Sequence, residues 1–130
     1  MSQTNQIAVA GRLLLAIVFI LSGVGKIAAP EATQGFIASV GLPFPLLSYL
    51  VAVLVELGGG ILLVVGFQTK LVSLALAGFT FATAVVFHHD FADQNQMIHF
   101  LKNIAITGGL LQVVAFGAGV FSIDAKLGKA

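Results

Sequence analysis

The sequence predicts an all-α, polytopic membrane protein: one domain of four transmembrane helices in a bundle, with a short interfacial helix between spans one and two. Three observations carry this prediction. Apolar residues make up 58% of the 130 and charged residues 8%, where a soluble domain carries about 25% charged residues. Mean hydropathy is +1.08, and so short a chain has too much surface for its volume to hide that excess from its solvent. The apolar residues also fall in four long blocks with short polar connections between them. Lipid is therefore the expected solvent for most of the surface, in a bacterial-type inner membrane.

The first span covers 7–28, with Arg12 and Lys26 as its only charges. Leu13 to Leu21 has the apolarity of a signal-peptide core. However, a single positive charge precedes it and Lys26 stands beside the would-be cleavage residues Ala28 and Ala29, so we read it as a retained span. The second span, 46–67, carries Glu56 near its middle. The third, 71–88, has no charge before its closing histidine, and the fourth, 99–121, has Lys102 near its start. Each is ~17–23 residues long, enough to cross ~30 Å of hydrocarbon at ~1.5 Å per residue. Backbone groups in lipid must be satisfied within a segment of this length, which requires helix, and the alternating short stretches of a barrel are missing from the sequence. Gln68-Thr69-Lys70 is a tight polar turn, so spans two and three pair antiparallel. His88 to Gln96 is a polar loop. Within the connector 30–45, Glu31 to Val40 reads as the interfacial helix, closed by Gly41 and Pro43.

Several functions are excluded or disfavoured by composition. A net charge of +1 offers no surface for nucleic acid. The chain has no cysteine, which rules out disulfides, thiol catalysis, a cysteine-ligated cluster and c-type haem attachment. No Gly-rich phosphate loop and no serine elbow point to nucleotide or hydrolase chemistry. Arg12, Lys70, Lys126 and Lys129 fall at one end of the spans, and Lys26 and Lys102 at the other with Glu31, Asp90 and Asp93. The four-to-two bias places both termini in the cytoplasm.

Glu56 is the most informative residue. It lies ten positions into its span, ~15 Å deep by helical rise. A carboxylate there is costly unless it is protonated or paired with a cation from another helix. Arg12, long and able to bind a carboxylate in bidentate fashion, is the preferred partner on geometry, and Lys26 and Lys102 approach from the opposite leaflet. Glu56 reads either as a buried ion-pair member that fixes helix packing or as a group that handles protons. Arg12, Phe19 and Lys26 recur every seven residues with Gly23 beside them, so one stripe of the first helix faces the bundle, although Lys26 could instead snorkel outward. Tyr49 precedes Glu56 by seven and suits either ring stacking on a planar ligand or interfacial anchoring. Gly58, Gly59 and Gly60 allow close approach of a helix or ligand. His88 and His99 flank the polar loop, and His99, Lys102 and Asn103 cluster at i, i+3, i+4. These donors could receive the head group of a lipid-soluble carbonyl compound or simply anchor the helix at the interface. The histidine spacing matches no established metal pattern, so no metal is expected and b-type haem is disfavoured.

Taken in order, the landmarks resemble the DoxX family over nearly the whole chain. They are Arg12-Leu13-Leu14-Leu15, Phe19, Ser22-Gly23-Val24-Gly25-Lys26, Glu56-Leu57-Gly58-Gly59-Gly60, Gly66, Phe87-His88-His89-Asp90-Phe91, Phe100-Leu101-Lys102-Asn103 and Gly108-Gly109-Leu110. The resemblance implies a four-helix inner-membrane fold. The family takes its name from a small subunit of a thiosulfate:quinone oxidoreductase, so the resemblance also implies a quinone-interacting subunit of a membrane oxidoreductase system. In that reading Glu56 handles protons and Arg12, Lys26 and Lys102 balance charge or hold a carbonyl oxygen. Tyr49, His88, His99 and Asn103 are further ligand contacts, and electrons come through a bound quinone or a partner subunit. The alternatives are a non-catalytic membrane anchor for a partner enzyme, and a small-solute or proton pathway formed by a homo-oligomer.

Overall fold

Most of the helices begin where their sequence supplies a start signal. In a computed structural model describing residues 2–129, α1 runs Gln3–Ala28 and is capped by Ser2, whose hydroxyl accepts the Asn5 N–H at 3.2 Å. Pro30 opens the short helix α2 (Pro30–Ser39), and Pro45 opens α3 (Pro45–Val65), each at a position where no N–H is needed. A π-turn at Leu54–Gly58 interrupts α3 around Glu56. Gly66, left-handed at φ 70°, ends α3. The chain turns at once into α4 (Thr69–Phe87), then α5 (Gln94–Phe116) and a single-turn helix α6 (Ile123–Lys126). Four of these, α1, α3, α4 and α5, are long and apolar enough to cross a membrane, and no strand occurs among the described residues. The expected bundle and the short helix between its first two spans are both present.

The last span differs from expectation. Helix α5 covers 94–116 rather than 99–121. Asp93 caps it by accepting the Asn95 N–H at 2.9 Å, so the polar turn Gln94-Asn95-Gln96 is helical. At the other end Gly117 and Gly119 take φ 82° and 84°, which stops the helix inside an apolar run. Hydropathy reads solvent preference, while the caps decide the boundary.

The spans pack in sequence order, with α1 against α3, α3 against α4, and α4 against α5, the first and last of these contacts being the extensive ones. Ala16, Phe19, Leu63, Leu76, Ala77 and Leu110 form the core. Leu14, Leu54, Leu71 and Leu74 point outward, as lipid permits. Helices α1 and α3 meet backbone to backbone. A Cβ placed on Gly60 would lie 2.7 Å from Ile20 Cγ1 and 3.3 Å from the Ala16 carbonyl oxygen, and one on Gly23 would lie 3.1 Å from the Leu57 nitrogen.

Candidate functional site

The register of α1 against α3 decides which cation meets Glu56. The Gly23–Leu57 and Gly60–Ile20 contacts put Glu56 level with Gly23. Lys26 is then less than one turn away, whereas Arg12 lies eleven residues along α1, ~16 Å off by helical rise. The structure accordingly pairs Glu56 with Lys26, Nζ to Oε1, at 2.7 Å. This corrects the preference for Arg12: both cations lie on the predicted stripe, but the sequence does not give the register between helices. Glu56 is 4% exposed and the Lys26 side chain 27%. Lys26 therefore bends its stem inward instead of snorkelling out. Its ammonium also donates to Ser22 Oγ at 3.3 Å, so one of its three protons is left uncommitted.

Above this pair a cavity of about 670 Å³ opens between α1, α2, α3, α4 and α5. Its walls are apolar, with Phe19, Phe36, Phe79 and Phe87 among them. Lys26 and Glu56 line one end, and His88, His99, Lys102 and Asn103 reach it from the loop side. The His88 and His99 rings stack with centroids 5.1 Å apart, and Lys102 Nζ sits 3.2 Å from His99 Nδ1. Burial, then the nearby His99 and Lys102, hold the His88 imidazole below the ordinary histidine range. No three metal-ligating side chains converge among the described residues. The arrangement suits a ligand of ring size or larger, with donors at both ends of an apolar space, and the volume lies within the ~300–1,000 Å³ of small-molecule sites.

Two expected ligand contacts lie elsewhere. Tyr49 is buried but does not line the cavity; its hydroxyl donates to the Lys26 carbonyl at 3.0 Å, a second hydrogen bond beside the one that carbonyl accepts from the Ala29 N–H at 3.2 Å. Arg12 sits at the opposite end of the bundle, 3% exposed, and donates to the carbonyls of Ala118 at 2.6 Å, Phe121 at 2.7 Å and Val64 at 3.3 Å. It fastens the segment after α5 to the end of α3. Asp124 completes the same latch. Its carboxylate accepts the Gln68 and Thr69 N–H groups, each at 2.8 Å, where α4 has no side-chain cap of its own. Burial alone would raise the Asp124 carboxyl. The N–H groups of Thr69 and Gln68 and the Lys129 ammonium outweigh it and hold the group below its usual value. The sequence gives no signal for Asp124, an acid in a polar tail. Ser22, four residues before Lys26, was legible as an i, i+4 partner. Thr80, a wall residue in an apolar helix, was not.

The fold and this site define a small four-span membrane protein that holds a lysine–glutamate pair, its carboxylate buried, against a half-open cavity. The DoxX family model matches residues 7–89, and the chain belongs to the DoxX family. It is similar to the inner membrane protein YqjF of Escherichia coli (strain K12), at 40% identity over 91% of this chain and 89% of that one. It is also similar to the inner membrane protein YphA of the same organism, at 34% identity over 88% of this chain and 86% of that one. No solved structure matches it.

Proposed function

We propose that this protein is an inner-membrane subunit that binds a quinone-like carbonyl compound in the cavity, as part of a membrane oxidoreductase system. The observation that supports this reading above the others is the Lys26–Glu56 pair at the end of a 670 Å³ apolar cavity. The uncommitted proton of Lys26 Nζ is a donor for a carbonyl oxygen, and the Glu56 carboxylate is the group that gives or takes a proton there. Apolar walls exclude water from a ring, and Lys102, His99 and Asn103 supply polar contacts at the other end. A bound quinone would carry electrons; the chain, without cysteine, contributes no thiol redox chemistry. The relatives' names support the inner membrane as the location.

Titration of the purified protein with ubiquinone and menaquinone analogues tests this reading. Saturable binding that weakens about tenfold in Glu56→Gln is expected, since a buried charged partner is worth one or two such factors. No saturable binding, or binding indifferent to the substitution, overturns it. The distribution of Lys and Arg supports cytoplasmic termini, which puts the His88–His99 end of the cavity toward the other face. Single cysteines introduced at Asn95 and at Lys129 should be labelled from opposite faces by a membrane-impermeant maleimide.

A second reading, an anchor for a partner subunit, has one observation in its favour. Helix α5 buries only Leu110, and its Ala105, Gly108 and Gln112 face is exposed, with open space around Gly108. A partner helix that covers this face should co-purify stoichiometrically and be lost in Gly108→Leu without loss of quinone binding.

A further inference from the structure

Helix α4 brings one hydroxyl into the cavity wall that the lysine–glutamate pair does not account for. Thr80 is 4% exposed, lines the cavity, and its Oγ1 has no hydrogen-bond partner. The neighbouring wall hydroxyls are all engaged. Ser22 accepts from Lys26, Thr33 donates to the Ala29 carbonyl, Ser48 to the Pro43 carbonyl and Thr83 to the Thr80 carbonyl. Thr83 shows that back-bonding to the preceding turn is open to a threonine in this helix, yet the Thr80 hydroxyl does not use it. Ser73, on the same helix, also has an unpartnered hydroxyl, but it does not line the cavity. Among the described residues, Thr80 is the buried cavity-wall hydroxyl that makes no hydrogen bond at all.

Its height in the bundle matters. A Cβ on Gly59 would touch Leu76 at 2.9 Å, so these two residues are level. Three residues further along two antiparallel helices, Glu56 comes level with Phe79 and Thr80. Thr80 therefore belongs to the floor of the cavity with Glu56 and Lys26, about 12 Å along α4 from His88. The Thr80 hydroxyl, which makes no hydrogen bond, and one uncommitted proton of Lys26 Nζ share that floor.

We propose that Thr80 is a ligand-contacting residue whose hydroxyl, with Lys26 Nζ, donates to one carbonyl oxygen of the ligand, so that a lipophilic carbonyl compound sits with that oxygen at the Glu56 floor and not at the His88–His99 end. The inference rests on the carbonyl-binding reading above and deepens it by fixing the ligand's orientation and naming a specificity contact.

The test uses the full chain in detergent and two probes, ubiquinone with a ten-carbon tail and decylbenzene, which has the tail and a ring but no carbonyl. Wild type, Thr80→Val and Thr80→Ser are titrated calorimetrically, and the melting temperature of each ligand-free protein is recorded. Thr80→Val should weaken the quinone about tenfold and Thr80→Ser by less than about threefold, while decylbenzene affinity stays unchanged, because a site built to bond an oxygen discriminates through that bond. The ligand-free Thr80→Val protein should melt at or above the wild-type temperature, since an unpaired buried hydroxyl is removed. Equal quinone affinity in wild type and Thr80→Val overturns the inference and leaves the carbonyl-binding reading standing. So does a parallel loss for both probes with a lowered melting temperature, which marks a packing role. Absence of quinone binding by wild type overturns both.

Discussion

Arg12 and Lys26 are cations on the same face of the same helix, and their partners set what each can do. Arg12 donates its hydrogen bonds to three backbone carbonyls, with the Asp124 carboxylate nearby. A planar guanidinium satisfies several divergent acceptors at once, which an ammonium on a flexible stem does poorly. Arg12→Ala should therefore cost on the order of 3 kcal/mol, charged hydrogen bonds contributing ~1.5–3 kcal/mol each and not adding fully, with Arg12→Lys recovering only part. Thermal unfolding in detergent, with limited proteolysis of residues 117–129, measures both. Lys26 instead meets a carboxylate that is nearly out of solvent. Removing one member of such a pair strands the other, whereas removing both does not. Lys26→Met and Glu56→Gln should each lower stability more than half as much as the double variant does, with a coupling of about 0.5–3 kcal/mol from the cycle. Strict additivity would show that the two groups do not interact. The sequence made the need for a cation beside Glu56 legible, through the cost of a charge in lipid. It did not show which cation, because register between helices is set by the glycine contacts at Gly23 and Gly60, and these are tertiary facts.

The helices show the same division between what a chain announces and what packing decides. Block lengths and hydropathy predicted the four spans, and Gly41 and Pro43 marked the close of the short helix between the first two, because each reports a local preference. The end of α5 was misplaced because Gly117 and Gly119 interrupt an apolar run whose solvent preference does not change there. The π-turn around Glu56 was not legible either, since the glycines that follow it read only as close approach. That close approach is specific to position. Gly60→Ala forces a methyl against α1 backbone and the Ile20 side chain, and should cost about 1–3 kcal/mol as overpacking. Gly108→Ala meets nothing within 4 Å and gains helix propensity, so its stability should rise by up to ~1 kcal/mol. Chemical or thermal denaturation of the two variants side by side separates them, and an equal response would mean that α1 and α3 are not held at backbone contact.

At the scale of the whole molecule, the bundle has one closed end and one open end. The cavity and its His88–His99 rim occupy the end where α1 finishes. At the other end the segment after α5 folds back over the α3–α4 turn, held by Arg12 through its carbonyls and by Asp124 through the N–H groups of Gln68 and Thr69, with the Asp124 N–H bonded in return to the Gly66 carbonyl at 2.9 Å. Asp124 thus supplies, from ~55 residues away in sequence, the anionic cap that the first turn of α4 lacks, where a negative charge also suits the helix dipole. This closure ties three spans together at a point far from the cavity, so it stabilises the walls without entering the site. It also makes the latch sensitive to acid. The folded chain holds the Asp124 carboxyl below its unfolded value. The latch therefore contributes fully above that unfolded value, about pH 4, and its contribution disappears as pH falls through the lower folded one. Amide hydrogen exchange in residues 66–70 and 117–127, referenced at each pH to Asp124→Asn, should show protection that is constant from about pH 7 to 5 and declines below about pH 4. Asp124→Asn keeps one acceptor oxygen and has no carboxyl to titrate, so its own protection should be weaker and flat across the range. A wild-type profile as flat as the variant's would mean that the carboxylate does not hold the two ends of the chain together.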